Sequence, residues 1–122
     1  MRGETYLTKP REYALVYQEG SSWTDHLLVV KARPSGLALS RYGISVGRRL
    51  GGAVTRNRVK RRLREILRGE RLVPGWDIIF IARPPSAKAD YSSLSRSVEK
   101  LLSRASLLAT ERRYEGAILS PN

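Results

Sequence analysis

Residues 42–82 read YGISVGRRLGGAVTRNRVKRRLREILRGERLVPGWDIIFIA. Tyr42-Gly-Ile-Ser-Val-Gly47 alternates strictly, with Tyr42, Ile44 and Val46 on one face and Gly43, Ser45 and Gly47 on the other. That pattern predicts a strand with one nearly bare face, which lets another group approach the backbone closely. The group could be a packed helix or an RNA, and the residues do not choose between them. Gly51-Gly52 breaks the chain, and a helix is predicted from Val54 to Arg68. Pro74-Gly75 turns it. Asp77-Ile-Ile-Phe-Ile-Ala82 is then a continuous apolar run, as expected of a central strand covered on both faces. One strand–helix–strand unit therefore anchors an α+β fold.

On the N-terminal side, a helix is predicted over about Lys9–Glu19, with Thr8 as cap, Pro10 in the first turn and Gly20 as stop. Tyr13, Val16 and Tyr17 share one of its faces. A strand follows over 26–33, with Leu28, Val30 and Ala32 directed to the core. Residues 34–40 form a connection of hairpin length. Ser21–Asp25 can be read either as an extra strand or as a bulged start of this one. On the C-terminal side, Asp90 caps a helix whose apolar stripe is Tyr91, Leu94, Val98, Leu101, Leu102, Ala105 and Leu108. The order is helix, strands, helix, strand, helix. A single domain is expected over 1–122, with 1–7 a loose lead-in and 109–122 a flexible tail.

The charge is concentrated. The chain of 122 residues carries 23 Lys plus Arg against 11 Asp plus Glu, a net charge of +12. Between 48 and 68 stand Arg48, Arg49, Arg56, Arg58, Lys60, Arg61, Arg62, Arg64 and Arg68, opposed by Glu65 alone. Val59, Leu63, Ile66 and Leu67 fall on one side of the helix. Asn57, Lys60, Arg61, Arg64 and Arg68 fall on the opposite side. Arg58 and Arg62 lie on a flank, where Glu65 can pair with Arg61 or Arg62. Solvated helix faces normally mix signs, and this one scarcely does. Arginine's planar fork suits phosphate and stacks on bases, so the expected partner is nucleic acid. No helix-turn-helix, zinc-finger or zipper pattern points to DNA, whereas Tyr13 and Tyr17 offer stacking surfaces for unpaired RNA bases.

Other classes lose ground. No run approaches the roughly 18 apolar residues of a membrane span, and no secretory signal is expected behind Met1-Arg2-Gly3-Glu4. The absence of cysteine removes disulfides and thiolate zinc sites, and it fits a cytoplasmic setting. The single histidine, His26, reads as a strand-edge residue. The acids are scattered, without a recognisable carboxylate cluster for two metals. No catalytic residue and no metal ligand is therefore singled out.

The segment Arg41–Glu65, with Arg56-Asn57-Arg58, Lys60-Arg61 and Arg64 after a Gly-rich turn, resembles the signature of the bacterial ribonuclease P protein family. Leu7-Thr8-Lys9, Glu12-Tyr13, Val16-Tyr17 and Gly20 resemble that family's opening helix, and Asp77–Arg83 its last strand. The resemblance implies a mostly antiparallel sheet with helices packed on it and a left-handed strand–helix–strand crossover. It implies a subunit of a tRNA 5′-processing endoribonuclease whose chemistry is carried by a catalytic RNA, with Mg²⁺ bound mainly by that RNA. Its partners would be the ribonuclease P RNA and precursor tRNA, with no membrane and no obligate protein partner. RNA contacts would fall to Arg48, Arg49, Arg56, Asn57, Arg58, Lys60, Arg61, Arg64 and Arg68. A cleft for the single-stranded 5′ leader would comprise Tyr13, Tyr17, Val29, Lys31 and Ser45. The family commonly has phenylalanine at the two tyrosine positions and often an aromatic at Lys31, so here charge replaces a stacking ring. The alternatives are a ribosomal or ribosome-assembly RNA-binding protein and a metal-dependent nuclease acting alone.

Overall fold

The computed structural model describes residues 6–109. Within them the order is α1 (Pro10–Glu19), β1 (Ser21–Thr24), β2 (Leu28–Pro34), β3 (Arg41–Val46), a 3-10 turn at Arg48–Leu50, α2 (Ala53–Arg68), β4 (Trp76–Ala82), a second 3-10 turn at Pro84–Lys88 and α3 (Tyr91–Arg104). The four strands form one mixed sheet in the order β1-β2-β4-β3. β1–β2 and β2–β4 are antiparallel, and β3–β4 is parallel. This is the α+β architecture expected from the strand–helix–strand unit.

α2 and α3 cover one face of the sheet. Leu28, Val30, Ala32, Tyr42, Ile78 and Phe80 meet Val59, Leu63, Ile66 and Leu67 of α2 and Leu94, Val98, Leu101 and Leu102 of α3, all buried. Among the described residues, α1 and the segment just before it cover the other face, over a small cluster of Leu7, Val16 and Ile79 flanked by Tyr13 and Ile81. β4 is thus buried from both sides, as its unbroken apolar run requires.

Several expectations are corrected. Residues 34–40 do not close a hairpin between neighbouring strands, because β4 inserts between β2 and β3. The hairpin is β1–β2, so Ser21–Thr24 is a separate strand. Its turn is shaped by Asp25, whose Oδ1 accepts from the N–H groups of Leu27 and Leu28 at 2.9 Å each. His26 lies in that turn and is exposed, not on a strand. Thr8 does not cap α1. The N-cap is Lys9, and Glu12 supplies the missing acceptor, its Oε1 taking the N–H groups of Thr8 and Lys9 at 2.9 and 3.0 Å.

The ends are also tighter than expected where they are described. In the lead-in, Leu7 is buried and its N–H donates to the Tyr42 carbonyl at 2.9 Å. Tyr6 sits edge-on to Tyr42 at 5.2 Å. α3 stops at Arg104, short of the stripe's last members. Ser106 takes a positive φ of 61°, and Leu107 folds back to full burial with its N–H on the Leu102 carbonyl at 2.8 Å. Leu72 and Leu108 form a bridge, and Ala109 is bonded to Arg71. The expected tail beyond 109 and the lead-in at 1–5 lie outside the described residues.

Candidate nucleic-acid interface

α2 is held by its apolar back and presents the rest outward. Asn57, Arg61, Arg64 and Arg68 are exposed, and Lys60 is half-buried beside them. Arg48 and Arg49 are exposed in the preceding 3-10 turn. Glu65 forms no ion pair among the described residues, so the expected pairing with Arg61 or Arg62 is not made and the face keeps its full charge. Arg62 instead donates to the Ala89 carbonyl and Arg58 to the Ala87 carbonyl, each at 2.9 Å. Both flank arginines therefore pin the segment after β4 onto α2. Arg56 is half-buried, and its Nε is enclosed without a hydrogen-bond partner.

The second surface lies on the sheet face under α1. Strand register places Val29, Ile81 and Ser45 in one row across β2, β4 and β3, and Lys31, Ile79 and Gly43 in the next. Tyr13 lies over Gly43 so closely that a Cβ there would overlap its ring. Helix packing is therefore what the bare strand face admits at this position. The adjoining row stays half-exposed and forms the floor of an open cleft beside α1. Tyr17, one turn after Tyr13, keeps 44% of its surface exposed. Lys31 donates to the Ser22 hydroxyl at 2.7 Å, which holds its charge along the β1 side. Burial raises the Tyr13 hydroxyl's pKa, and burial with the Tyr6 contact pushes Tyr42 up to about 12.

An ion-pair relay orients α1. Arg41 makes a two-pronged bond to Asp77 at 2.9 and 2.7 Å, and its third nitrogen reaches Glu12 Oε2 at 2.8 Å. Asp77 is 1% exposed. Arg33 pairs with Glu19 at 3.1 Å at the other end of the helix. Gly20 completes the seat, because a Cβ there would press on the backbone carbonyls of Val16 and Ala32. Residue-by-residue reading had no signal for Arg41 as a hub, since its two partners lie 29 and 36 positions away. Tyr6 and Leu7 were likewise hidden in an unpatterned lead-in. They line, with Tyr13, Tyr42, Lys60 and Arg64, a pocket of about 470 Å³ that joins the two surfaces.

Among the described residues, no three His, Asp or Glu side chains converge on a metal position. Glu12, Asp25 and Asp77 are already engaged by backbone N–H groups, Ser97, Lys100 and Arg41. No described helix is long and apolar enough to cross a membrane.

An arginine-rich helix with a single acid, beside an open aromatic cleft on a mixed sheet, defines an α+β RNA-binding protein. The profile of the family described as Ribonuclease P matches residues 1–106. The chain is 44% identical over 109 residues to the ribonuclease P protein component of Dehalococcoides mccartyi, covering 89% of this chain and 91% of that protein. It is 44% identical over 105 residues to that of a Roseiflexus species, covering 84% and 86%. Among solved structures, the RNase P protein of Staphylococcus aureus superposes with a TM-score of 0.77 at 30% identity, over 85% of this chain and 97% of that one. The Thermotoga maritima protein gives 0.73 at 34%, over 81% and 96%. The chain belongs to the ribonuclease P protein family. It is accordingly a protein component of the tRNA 5′-processing enzyme, and the ribosome-assembly alternative is not favoured.

Proposed function

We propose that this chain binds the catalytic RNA of ribonuclease P through α2 and the turn before it, and the 5′ leader of precursor tRNA in the cleft beside α1. The observation that carries the reading is the rigid cationic face of α2: Arg61, Arg64 and Arg68 stand exposed while Val59, Leu63, Ile66 and Leu67 fix the helix to the sheet. Arg48, Arg49, Asn57 and Lys60 extend that face. Arg58 has a structural bond to Ala87 and contributes through its remaining nitrogens and its charge. In the cleft, Tyr17 offers a ring to a base, Val29 and Ser45 form the floor, and Tyr13 shapes the wall. Lys31 supplies charge where a ring would otherwise stack.

The protein's task is electrostatic and positional. It lowers phosphate repulsion between two RNAs and holds the leader, while the catalytic RNA with its Mg²⁺ performs the hydrolysis in the cytoplasm. Neutralising around five phosphates gives a log–log salt slope of roughly −3 to −5 by counterion release.

The test is 5′ maturation of a precursor tRNA by a bacterial-type catalytic RNA at low Mg²⁺. The protein is expected to restore correct cleavage, and Arg61→Ala with Arg64→Ala to abolish the rescue. Tight RNA binding without any stimulation of cleavage would remove the reading.

A further inference from the structure

A second concave surface lies away from the cationic face of α2 and the cleft. It has a volume of about 520 Å³ and sits between the β1–β2 turn, the 3-10 turn after β4 and the first half of α3. His26, Lys88, Arg96 and Lys100 line it. The one acid in it, Asp25, is already saturated. Oδ1 accepts from Leu27 and Leu28, and Oδ2 accepts from the Ser97 hydroxyl at 2.6 Å and pairs with Lys100 at 3.3 Å. Burial alone would raise its pKa, but the Ser97, Leu28, Leu27 and Lys100 bonds outweigh that and hold it below the ordinary carboxylate range. Asp25 is thus an internal strut that aims its loop and Lys100. Lys88 and Arg96 form no ion pair among the described residues, and Arg96 has only a 3.3 Å contact with Ser92 on its own helix. Asp90 lies near enough for Arg96 to act on its charge, but no described carboxylate bonds to either side chain, and two cations facing one hollow call for an anion.

The partner follows from what the hollow is attached to. Its Pro85–Ala89 wall is the segment that Arg58 and Arg62 of α2 hold by its carbonyls. The turn bearing Arg48 and Arg49 packs against that same wall. The two cationic surfaces therefore share one rigid support at the end of the sheet where β3 and β4 finish.

We infer that this hollow is a phosphodiester-binding site for the catalytic RNA, with Lys88 and Arg96 as its principal contacts and Lys100 and His26 at its rim. It extends the α2 interface around the end of the sheet, so that the RNA engages two faces of the protein. The inference rests on the ribonuclease P reading.

The experiment measures the affinity of the full chain for a bacterial-type catalytic RNA across salt concentrations, with leader-bearing precursor tRNA and a length-matched control RNA as further probes. The variants are Lys88→Gln with Arg96→Gln, and the charge reversal Lys88→Glu with Arg96→Glu. The glutamine pair is expected to weaken catalytic-RNA binding about 5- to 20-fold at low salt and to reduce the salt slope by about 1 to 2, the yield of one or two lost phosphate contacts. The reversal should weaken it further. Both side chains are exposed, so unfolding midpoints should match the parent. If both variants bind catalytic RNA as the parent does, the site is refuted while the α2 reading stands. A loss seen only with precursor tRNA refutes catalytic RNA as the occupant. If the parent itself prefers the catalytic RNA no more than the control, the ribonuclease P reading falls and this inference falls with it.

Discussion

The two faces of the sheet solve opposite problems. The face under α2 and α3 is closed by a continuous apolar core, so it can carry repelling arginines on its outer surface without loss of shape. The face under α1 is closed by three buried residues and an ion-pair relay, and it leaves a row of strand residues half-open. Apolar burial is non-directional and favours complete closure. Ion pairs fix one helix at one angle and need no closure. A row of strand residues left half-open is compatible with the second arrangement and not with the first.

The largest expected effect breaks the closed face. Phe80→Ala removes a ring at full burial where β4 meets α2 and α3, and should cost about 3–5 kcal/mol. The unfolding midpoint in urea would report it, and every RNA-binding activity should fall together.

Asp77→Ala attacks the other face. It leaves Arg41 with Glu12 as its one remaining partner and should cost roughly 3 kcal/mol, the low end for a broken buried pair because the Arg41 side chain is still 24% exposed and keeps that second bond. Its signature differs from that of Phe80→Ala. Amide exchange should accelerate in α1 before α2, and leader-dependent affinity should fall more than affinity for catalytic RNA.

Gly43→Ala sharpens the comparison further. The new methyl would displace the Tyr13 ring, at a cost of roughly 1–3 kcal/mol. Adding Tyr13→Ala should recover part of that cost. If Gly43→Ala leaves both stability and leader affinity unchanged, the close seating of α1 has no role.

Tyr17→Ala should scarcely alter stability, since the ring is exposed, but should weaken binding of leader-bearing precursor by about 1–2 kcal/mol, the scale of one base stack. Leaderless tRNA is the control. The smallest effect is in acid. The Lys9 and Thr8 N–H groups, then Arg41, hold Glu12 below the ordinary carboxylate range. A depressed folded pKa contributes stability that is complete at neutral pH and lost as pH falls through the folded value. Stability should therefore decline below about pH 4, and Glu12→Gln should flatten that part of the profile.

Much of this molecule was legible from residue order. The back of α2, the core face of β2 and the double burial of β4 all follow from spacing, because each is a periodicity carried within one element. The cationic face of α2 was legible for the same reason. The hairpin reading of 34–40 failed because a short connection between strands normally joins neighbours, and nothing local announces that a strand 30 residues later will enter between them. Helical spacing set Arg58 and Arg62 on a flank, apart from Arg61 and Arg64, but it could not show that the flank pair bonds to the protein's own backbone. That depends on where the carbonyls of Ala87 and Ala89 come to rest.

The sequence by itself determined which elements form, which of their faces are apolar, and that one helix bears an unbalanced positive charge. These are local matters of side-chain period and composition. Tertiary structure alone decided the strand order, the seating of α1 by Arg41, Asp77 and Glu12, and which arginines of α2 bond to backbone carbonyls. Those outcomes depend on hydrogen-bonding partners far apart in the chain, and a backbone carbonyl has no sequence signal until the fold brings it within reach.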